Sequence, residues 1–406
     1  MVSTPDELRA WLRLCLTPGI GNTTARSLLQ AFGLPQTIFS SSAGELQHVV
    51  SPSQSQALLQ IPSGLDMLCE DTWKWLSASP IGGVQRRLLT LADAEYPSPL
   101  LATCDPPCVL YAMGQTQHLA RLGQPTLEAP AALAMVGSRN PTPQGLQNAH
   151  DFALSLAHAG LSVVSGLALG VDGAAHEGAL IGGTPSNPIY TVAVVGTGLD
   201  RVYPKSHQDL AHRIAHNGLL LSEYHLGTPP ITANFPKRNR LIAGLSQGCL
   251  VVEAAMRSGS LITARQALEL GKDVFAIPGS IHSSLSKGCH GLIRQGAKLV
   301  ESAQDVLEEL RHVPQNLQAA PSRNGLALAH EPANAHASAS LSNLPGALEN
   351  HHLLLQCLGH DPVGLDELQQ RSQLGTAQLQ SQLFNLELAG AVGRLPGGQF
   401  QRLVKN

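Results

Sequence analysis

From Ala132 onward, short unbroken apolar runs alternate with longer stretches in which apolar residues recur every three or four positions. The runs cover 132–137, 161–166, 189–196, 219–223, 249–253, 273–277 and 298–301, and several are rich in valine, leucine and isoleucine. Runs of that kind suit strands covered on both faces. The stretches between them, 143–158, 171–181, 206–216, 238–246, 261–270 and 303–311, carry helical spacing. Alternation of strand and helix predicts an α/β domain with a doubly wound parallel sheet. Ligands of such sheets sit at the carboxyl ends of the strands.

The flanks read differently. Residues 1–85 predict a small helical unit. Its clearest piece is the turn Leu16-Thr-Pro-Gly-Ile-Gly21 followed by an amphipathic helix from Asn22 to Phe32. Two glycines in a tight turn between helices resemble a helix-hairpin-helix, whose turn amides can meet a phosphate. Only Arg26 offers a cation on the second helix, which favours plain packing. Residues 86–130 bridge to the main domain through proline-set extended segments, Tyr96 to Leu100 and Asp105 to Tyr111. Residues 312–345, rich in Ala, Ser, Asn and Pro without a period, predict a flexible linker. Residues 346–406 predict three helices (348–358, 365–370 and 377–388) and a hairpin around Pro396-Gly397-Gly398, a pattern that resembles a winged helix.

Composition narrows the chemistry. Of 406 residues, 43% are hydrophobic and 14% charged, enough for packed cores in two or three domains. The net charge of −3 conceals local asymmetry: between Ile231 and Val300 nine Lys and Arg face three Asp and Glu. Seven scattered cysteines without framework spacing predict reduced thiols and a cytoplasmic setting. Cys104 and Cys108 have no second pair at ligand spacing, so no structural metal is expected. No signal pattern or apolar run of membrane-spanning length is expected to add a membrane anchor.

The chemistry-bearing motifs fall at strand ends. In Val136-Gly-Ser-Arg-Asn-Pro141, Gly137 lets backbone approach a ligand, Ser138 can cap a helix and donate to a phosphate, and Arg139 offers a bidentate fork. In Ser165-Gly-Leu-Ala-Leu-Gly-Val-Asp172, small residues keep the turn open and Asp172 reads as a helix cap. Asp172 and His176, four apart, suggest an acid–base pair only weakly, because no nucleophile or metal motif lies beside them. Gly196-Thr-Gly-Leu-Asp-Arg-Val-Tyr-Pro204 lacks the third glycine of a dinucleotide fingerprint, and no Walker A pattern exists. The densest segment is Asn234 to Ala267. Pro236 suits a first helical position, which would set Lys237, Arg238 and Arg240 on the first turn beside free amides. Glu253 is expected to orient Arg238 or Arg240. The turn Ser258-Gly259-Ser260 closes the segment. Together these turns mark a long polar groove.

VGSRNPT, SGLALGVDGAAH, GTGLDRVYP, SEY, NFPKRNRLIAGLS, VVEAAMRSGSLITARQA, FAIPGS and GLIRQGAK, in that order, resemble the DNA-processing protein A (DprA, also called Smf) family over roughly residues 90–302. The resemblance implies an extended Rossmann-type domain, here 86–311, that dimerises and binds single-stranded DNA. It implies loading of the RecA recombinase onto incoming strands during natural transformation, in place of single-strand-binding protein, with no cofactor and no catalytic residue. By matching positions, the DNA contacts would be Ser138, Arg139, Ser165, Gly166, Phe235, Lys237, Arg238 and Arg240, with Gly259 and Ser260 from SGS. Leu169 stands where the family's SGLARGID motif has arginine, and His290 where GTNxLI has asparagine.

About four neutralised phosphates would give a log–log salt slope of roughly −3. The wing helix 377–388 lacks cations, so a protein-contact or accessory role is expected of the C-terminal unit. Two other classes compete. A Rossmann-like nucleotide phosphoribohydrolase would carry P-G-G-x-G-T-x-x-E, but Pro278-Gly-Ser-Ile281 lacks the second glycine and the glutamate. A small-nucleotide sensor on the same fold would bind mononucleotide tightly.

Overall fold

The computed structural model describes residues 2, 4–122, 132–185, 187, 189–310, 354–355, 357–358, 362–395 and 397–403. The chain divides into two compact units, described separately. One holds Met1–Pro141 and Asn148–Val313; the other is Pro314–Asn406 with Thr142–Gln147. The linker expected at 312–345 lies outside the described residues, as does most of the helix expected at 348–358.

Among the described residues nine strands form the large sheet: β1 (Val84–Thr90), β2 (Val109–Gln115), β3 (Ala132–Val136), β4 (Ser162–Ser165), β5 (Thr191–Val194), β6 (Gly218–Ser222), β7 (Gly248–Val251), β8 (Asp273–Ala276) and β9 (Lys298–Leu299). Their order is β1-β2-β6-β5-β4-β3-β7-β8-β9. From β6 to β9 every pairing is parallel, as the apolar runs require. β1 and β2 differ. The bridging segment expected at 86–130 instead pairs β1 with β2, and β2 with β6, both antiparallel. The prolines that suggested an extended connector lie between these two strands, so the sheet gains an antiparallel edge.

Alternation within the strands sorts side chains to two faces. Ala134, Val136, Val194, Leu221 and Val251 pack on one face beneath α12 (Asn234–Leu245), α13 (Ser260–Glu269) and α14 (Lys287–Arg294). Leu133, Met135, Val163, Leu250 and Phe275 pack on the other beneath α9 (Pro143–His158), α10 (Val171–Gly182) and α15 (Ala303–Glu309). A third cluster joins Ala193, Val195 and Leu220 to α11 (Gln208–Asn217) and to the N-terminal helices.

Those N-terminal helices are α1 (Pro5–Leu16), α2 (Asn22–Phe32), α3 (Pro35–Ser40), α4 (Ala43–Leu46), α5 (Pro52–Leu59) and α6 (Leu65–Ser77); the short α7 (Ser98–Leu101) and α8 (Thr116–Leu119) flank β2. Leu8, Trp11 and Leu12 of α1 and Leu65 of α6 share a core with Leu88, Val109 and Tyr111 of the sheet edge. The helical segment 1–85 and the sheet domain therefore belong to one compact unit. In the turn before α2, Gly19 has φ +78° and its carbonyl accepts from Gln54 Nε2. Arg26 donates to Thr103 O at 3.4 Å. Its cation is used in packing, which matches the plainer reading of that hairpin.

In the second unit, α16 (Leu365–Ser372) and α17 (Thr376–Leu388) pack through Leu368, Leu379, Leu383 and Leu386. β10 (Val363–Gly364), β11 (Val392–Leu395) and β12 (Gln399–Arg402) form an antiparallel sheet in the order β10-β12-β11. That is the helix-and-wing pattern the sequence suggested.

Candidate nucleic-acid interface

The carboxyl ends of β3, β4 and β5 meet the amino-terminal turns of α12 and α13 around an open cavity of about 440 Å³. Its lining includes Gly137, Arg139, Asp172, Tyr203, Phe235 and Arg238, with Asn239 and the turn Ser258-Gly259-Ser260. Of the residues expected to contact DNA, the cavity therefore gathers Arg139, Phe235, Arg238, Gly259 and Ser260.

Arg139 is exposed at the mouth. Its Cζ lies 5.3 Å from the centre of the Phe235 ring, a cation–π contact. Phe235 in turn tilts against Tyr203 at 5.7 Å between ring centres. Among the described residues, Arg139 forms no ion pair. A planar fork held over an aromatic face and left without an anion is suited to a phosphate or to the π-face of a base. Lys237 is exposed, does not line the cavity, and forms no ion pair among the described residues.

The other two cations of FPKRNR correct the expectation. The helix starts at Asn234, not Pro236, so Lys237, Arg238 and Arg240 fall beyond its first turn and its free amides. Asn234 is buried there: its Nδ2 donates to Gly196 O, and its carbonyl accepts from Tyr224 Oη. With that register Arg238 points into the protein and is 3% exposed. Its Nη1 donates to Gly166 O at 2.8 Å and also to Val194 O. Burial brings the Arg238 guanidinium down to about 10, opposed mainly by the charge of Asp172. Arg240 is bound to Glu223 and, at 3.2 Å, to Asp105. Burial pushes the Glu223 carboxyl upward, with Arg240 opposing it. Glu223, Asp105 and Asp172 thus take the orienting role expected of Glu253.

Ser165 and Gly166 are scaffold as well. Ser165 is fully buried and its Oγ donates to Met135 O at 2.6 Å. A Cβ at Gly166 would press on both Arg238 Nη2 and Asp172 Oδ2. Ser138 does not cap α9; its Oγ accepts from Asn140 N at 3.1 Å. Asp172 serves the preceding turn, with Oδ2 accepting from Gly166 N and Ala168 N at 3.1 and 3.3 Å. Burial pushes its carboxyl upward against the pull of Arg238. His176 does not join it: the ring meets Thr191 Oγ1 at 2.7 Å and burial lowers it to about 3. Ser260 is buried with its Oγ 2.6 Å from Ser258 Oγ, while Gly259 is exposed and leaves open space above it.

Some lining residues carried no signal as contacts. Tyr203 stood in a family motif from which no contact was drawn, Asn239 lay unremarked between two arginines, and Pro230 and Thr232 belong to a connection without a motif. Thr263 is fully buried and, among the described residues, its hydroxyl has no hydrogen-bond partner. The turn after β8, where a phosphoribohydrolase would carry its glutamate, does not line this cavity; Pro278 and Ile281 face another.

The family model for DNA recombination-mediator protein A matches residues 87–311, and the DprA winged helix domain matches 337–398. The chain belongs to the DprA/Smf family. Protein Smf of Escherichia coli (strain K12) is 38% identical over 317 residues, 76% of this chain and 75% of its own length. DNA processing protein DprA of Streptococcus pneumoniae (strain ATCC BAA-255 / R6) is 47% identical over 220 residues, 54% of this chain and 73% of that protein. The X-ray structure of DprA from Streptococcus pneumoniae aligns with a TM-score of 0.60 at 38% identity, covering 76% of this chain and 99% of the other.

Against the family pattern, Leu169 leaves an apolar side chain, 46% exposed, on the turn that borders the cavity. His290 keeps a local bond, with Nε2 3.0 Å from Gly279 O. No described helix is long and apolar enough to cross a membrane, and no described cluster of His, Cys, Asp and Glu could hold a metal.

Proposed function

We propose that this protein binds single-stranded DNA along the carboxyl-end groove, protects incoming strands in the cytoplasm and loads RecA recombinase onto them during natural transformation, in place of single-strand-binding protein. The observation that carries the DNA-binding part is Arg139: an exposed guanidinium, free of carboxylates among the described residues, held over Phe235 at the mouth of an open cavity. Family membership supplies DNA as the polyanion. RecA and single-strand-binding protein enter through the family resemblance alone.

The protein acts by binding, with no chemical step. Among the described residues Asp172 is the one carboxylate in the cavity lining, and it is occupied by turn amides. A nucleotide hydrolase would need a free one for acid–base work.

With Arg238 and Arg240 committed inward, Arg139 and Lys237 are left to meet phosphates. Two contacts give a single-strand salt slope of about −1.4, and a homodimer doubles it to about −2.8. Two protomers then account for the about four neutralised phosphates expected from the sequence, in one longer footprint. Exposed Met256, Ile281 and Leu299, around a cavity beside the edge strand β9, support self-association on that side.

Titration with oligothymidylates of increasing length tests this reading. Affinity is expected to climb with length until two protomers are spanned, with no measurable affinity for thymidine monophosphate. Tight mononucleotide binding would establish a sensor instead, and release of base from nucleoside monophosphates a hydrolase.

A further inference from the structure

The turn from Ser165 to Asp172 is held more tightly than an ordinary loop. Leu167, which is not glycine, has φ +58°, and Gly170 has φ +78°. A non-glycine residue stays in that sparsely populated region only where its neighbours over-determine it. Here they do. Asp172 Oδ2 accepts from the amides on either side of Leu167. His207 Nδ1 lies 3.1 Å from Leu167 O. Arg238 donates to Gly166 O and, across the sheet, to Val194 O.

The pinned turn bears directly on the turn that carries Arg139. Val171 N donates to Ser138 O at 3.1 Å. A Cβ on Gly170 would meet the carbonyl oxygens of Ser138 and Arg139 at 2.5 and 2.7 Å, so the two backbones lie against each other. Arg238 also sits one helical turn after Phe235, the ring under the Arg139 guanidinium.

We infer that Arg238 and Asp172 are positioning residues for Arg139, rather than a DNA ligand and a bystander: they latch the Ser165–Asp172 turn, and the latched turn fixes the backbone from which Arg139 reaches the strand. This rests on the proposed single-strand reading of the groove.

The experiment measures oligothymidylate affinity of the full-length protein across a salt series, with thermal melting to confirm folding. Arg238→Lys and Asp172→Ala are each made in the native background and in Arg139→Ala. The latch predicts that each weakens binding about tenfold in the native background. It also predicts that neither weakens Arg139→Ala further, because both act through that residue. His207→Ala, which loosens the same turn from a half-buried position, gives a smaller loss with the same non-additivity and serves if a core variant does not fold. The inference is overturned if Arg238→Lys keeps full affinity, if Asp172→Ala tightens binding by removing a negative charge, or if the losses add to that of Arg139→Ala. An unchanged Arg139→Ala would overturn instead the reading on which the latch rests.

Discussion

Two cavities lie at opposite edges of the strand ends of one sheet, one at the carboxyl ends of β3, β4 and β5 and the other at the amino ends of β7, β8 and β9. The one at the amino ends, lined by Gln247, Gly271, Lys272, Asp273, Lys298, Glu309 and Leu310, is the larger, about 570 Å³ against about 440 Å³ at the carboxyl ends. Both contain two cations, but they are held differently. At the amino ends Lys272 donates to Ala243 O and Gly244 O, both at 2.8 Å, closing the carboxyl end of α12. Burial brings that amine down to about 8. Lys298 bridges Asp273 and Glu309. At the carboxyl ends Arg238 is consumed by the fold in the same way, and Arg139 is not. Volume would choose the amino-end cavity. Uncommitted charge at an open mouth chooses the other, because only such a charge can gain a new partner without breaking an old one.

The sharpest way to break that comparison is Arg139→Ala. A lost charge-assisted hydrogen bond is worth about 1.5–3 kcal/mol, or roughly 10- to 100-fold in affinity. The salt slope should become shallower by about 0.7 per protomer. Fluorescence anisotropy on a labelled oligothymidylate reads both quantities, and a variant with native affinity and slope would remove the distinction between the two cavities.

Phe235→Ala should cost less, about tenfold, within the range of about 1–3 kcal/mol for a stacked base. The slope should stay unchanged, since no charge is removed. A shallower slope in this variant would mean that the ring acts only by supporting Arg139.

Leu169→Arg runs the comparison in reverse. It restores the cation of the family motif at an exposed position on the bordering turn. Binding should tighten about threefold to fivefold and the slope steepen by about 0.7. An unchanged slope would show that position 169 faces away from the strand.

The sequence made the sheet legible because apolar runs and helical spacing report burial directly. Every expected strand from Ala132 onward is present, and α9 spans the residues expected of it. The edge strands β1 and β2 were missed. VQRRLLT carries two arginines, and the prolines around Asp105 dominated the reading of the segment that follows. The place of the candidate cavity was legible too, since glycine, serine and arginine gathered at the strand ends that line it. What each cation does was not. Lys237, Arg238 and Arg240 look alike in sequence. Their places around α12 decide which way each points: Arg238 turns inward to Gly166 O and Val194 O, while Lys237 stays exposed. Asp105 and Glu223, the partners of Arg240, come from distant positions that only the folded sheet brings together.

A smaller effect concerns the interior behind the site. The folded His176 lies at about 3, below its ordinary 6.5, because burial disfavours the charged ring. Between those values the unfolded chain holds a proton that the folded chain lacks. Stability therefore falls as pH drops from 6.5 toward 3, by up to about 1.4 kcal/mol per pH unit from this group. His176→Gln should flatten that acid loss in urea denaturation at pH 7 and pH 5. An identical acid loss in the variant would show that the ring is not held neutral.

The smallest expected effect is the control on the opposite cavity. Lys298→Ala removes a cation that is already shared between Asp273 and Glu309 on a half-exposed surface. Such bridges contribute about 0–1 kcal/mol, so the melting temperature should hardly move. Oligothymidylate affinity and salt slope should match the native protein, although the larger cavity has lost one of its two cations. If Lys298→Ala instead shifted the slope by about 0.7, the strand would be contacting the amino ends of the sheet. Neutralisation by carboxylates would then have been the wrong criterion for setting Lys298 apart from Arg139.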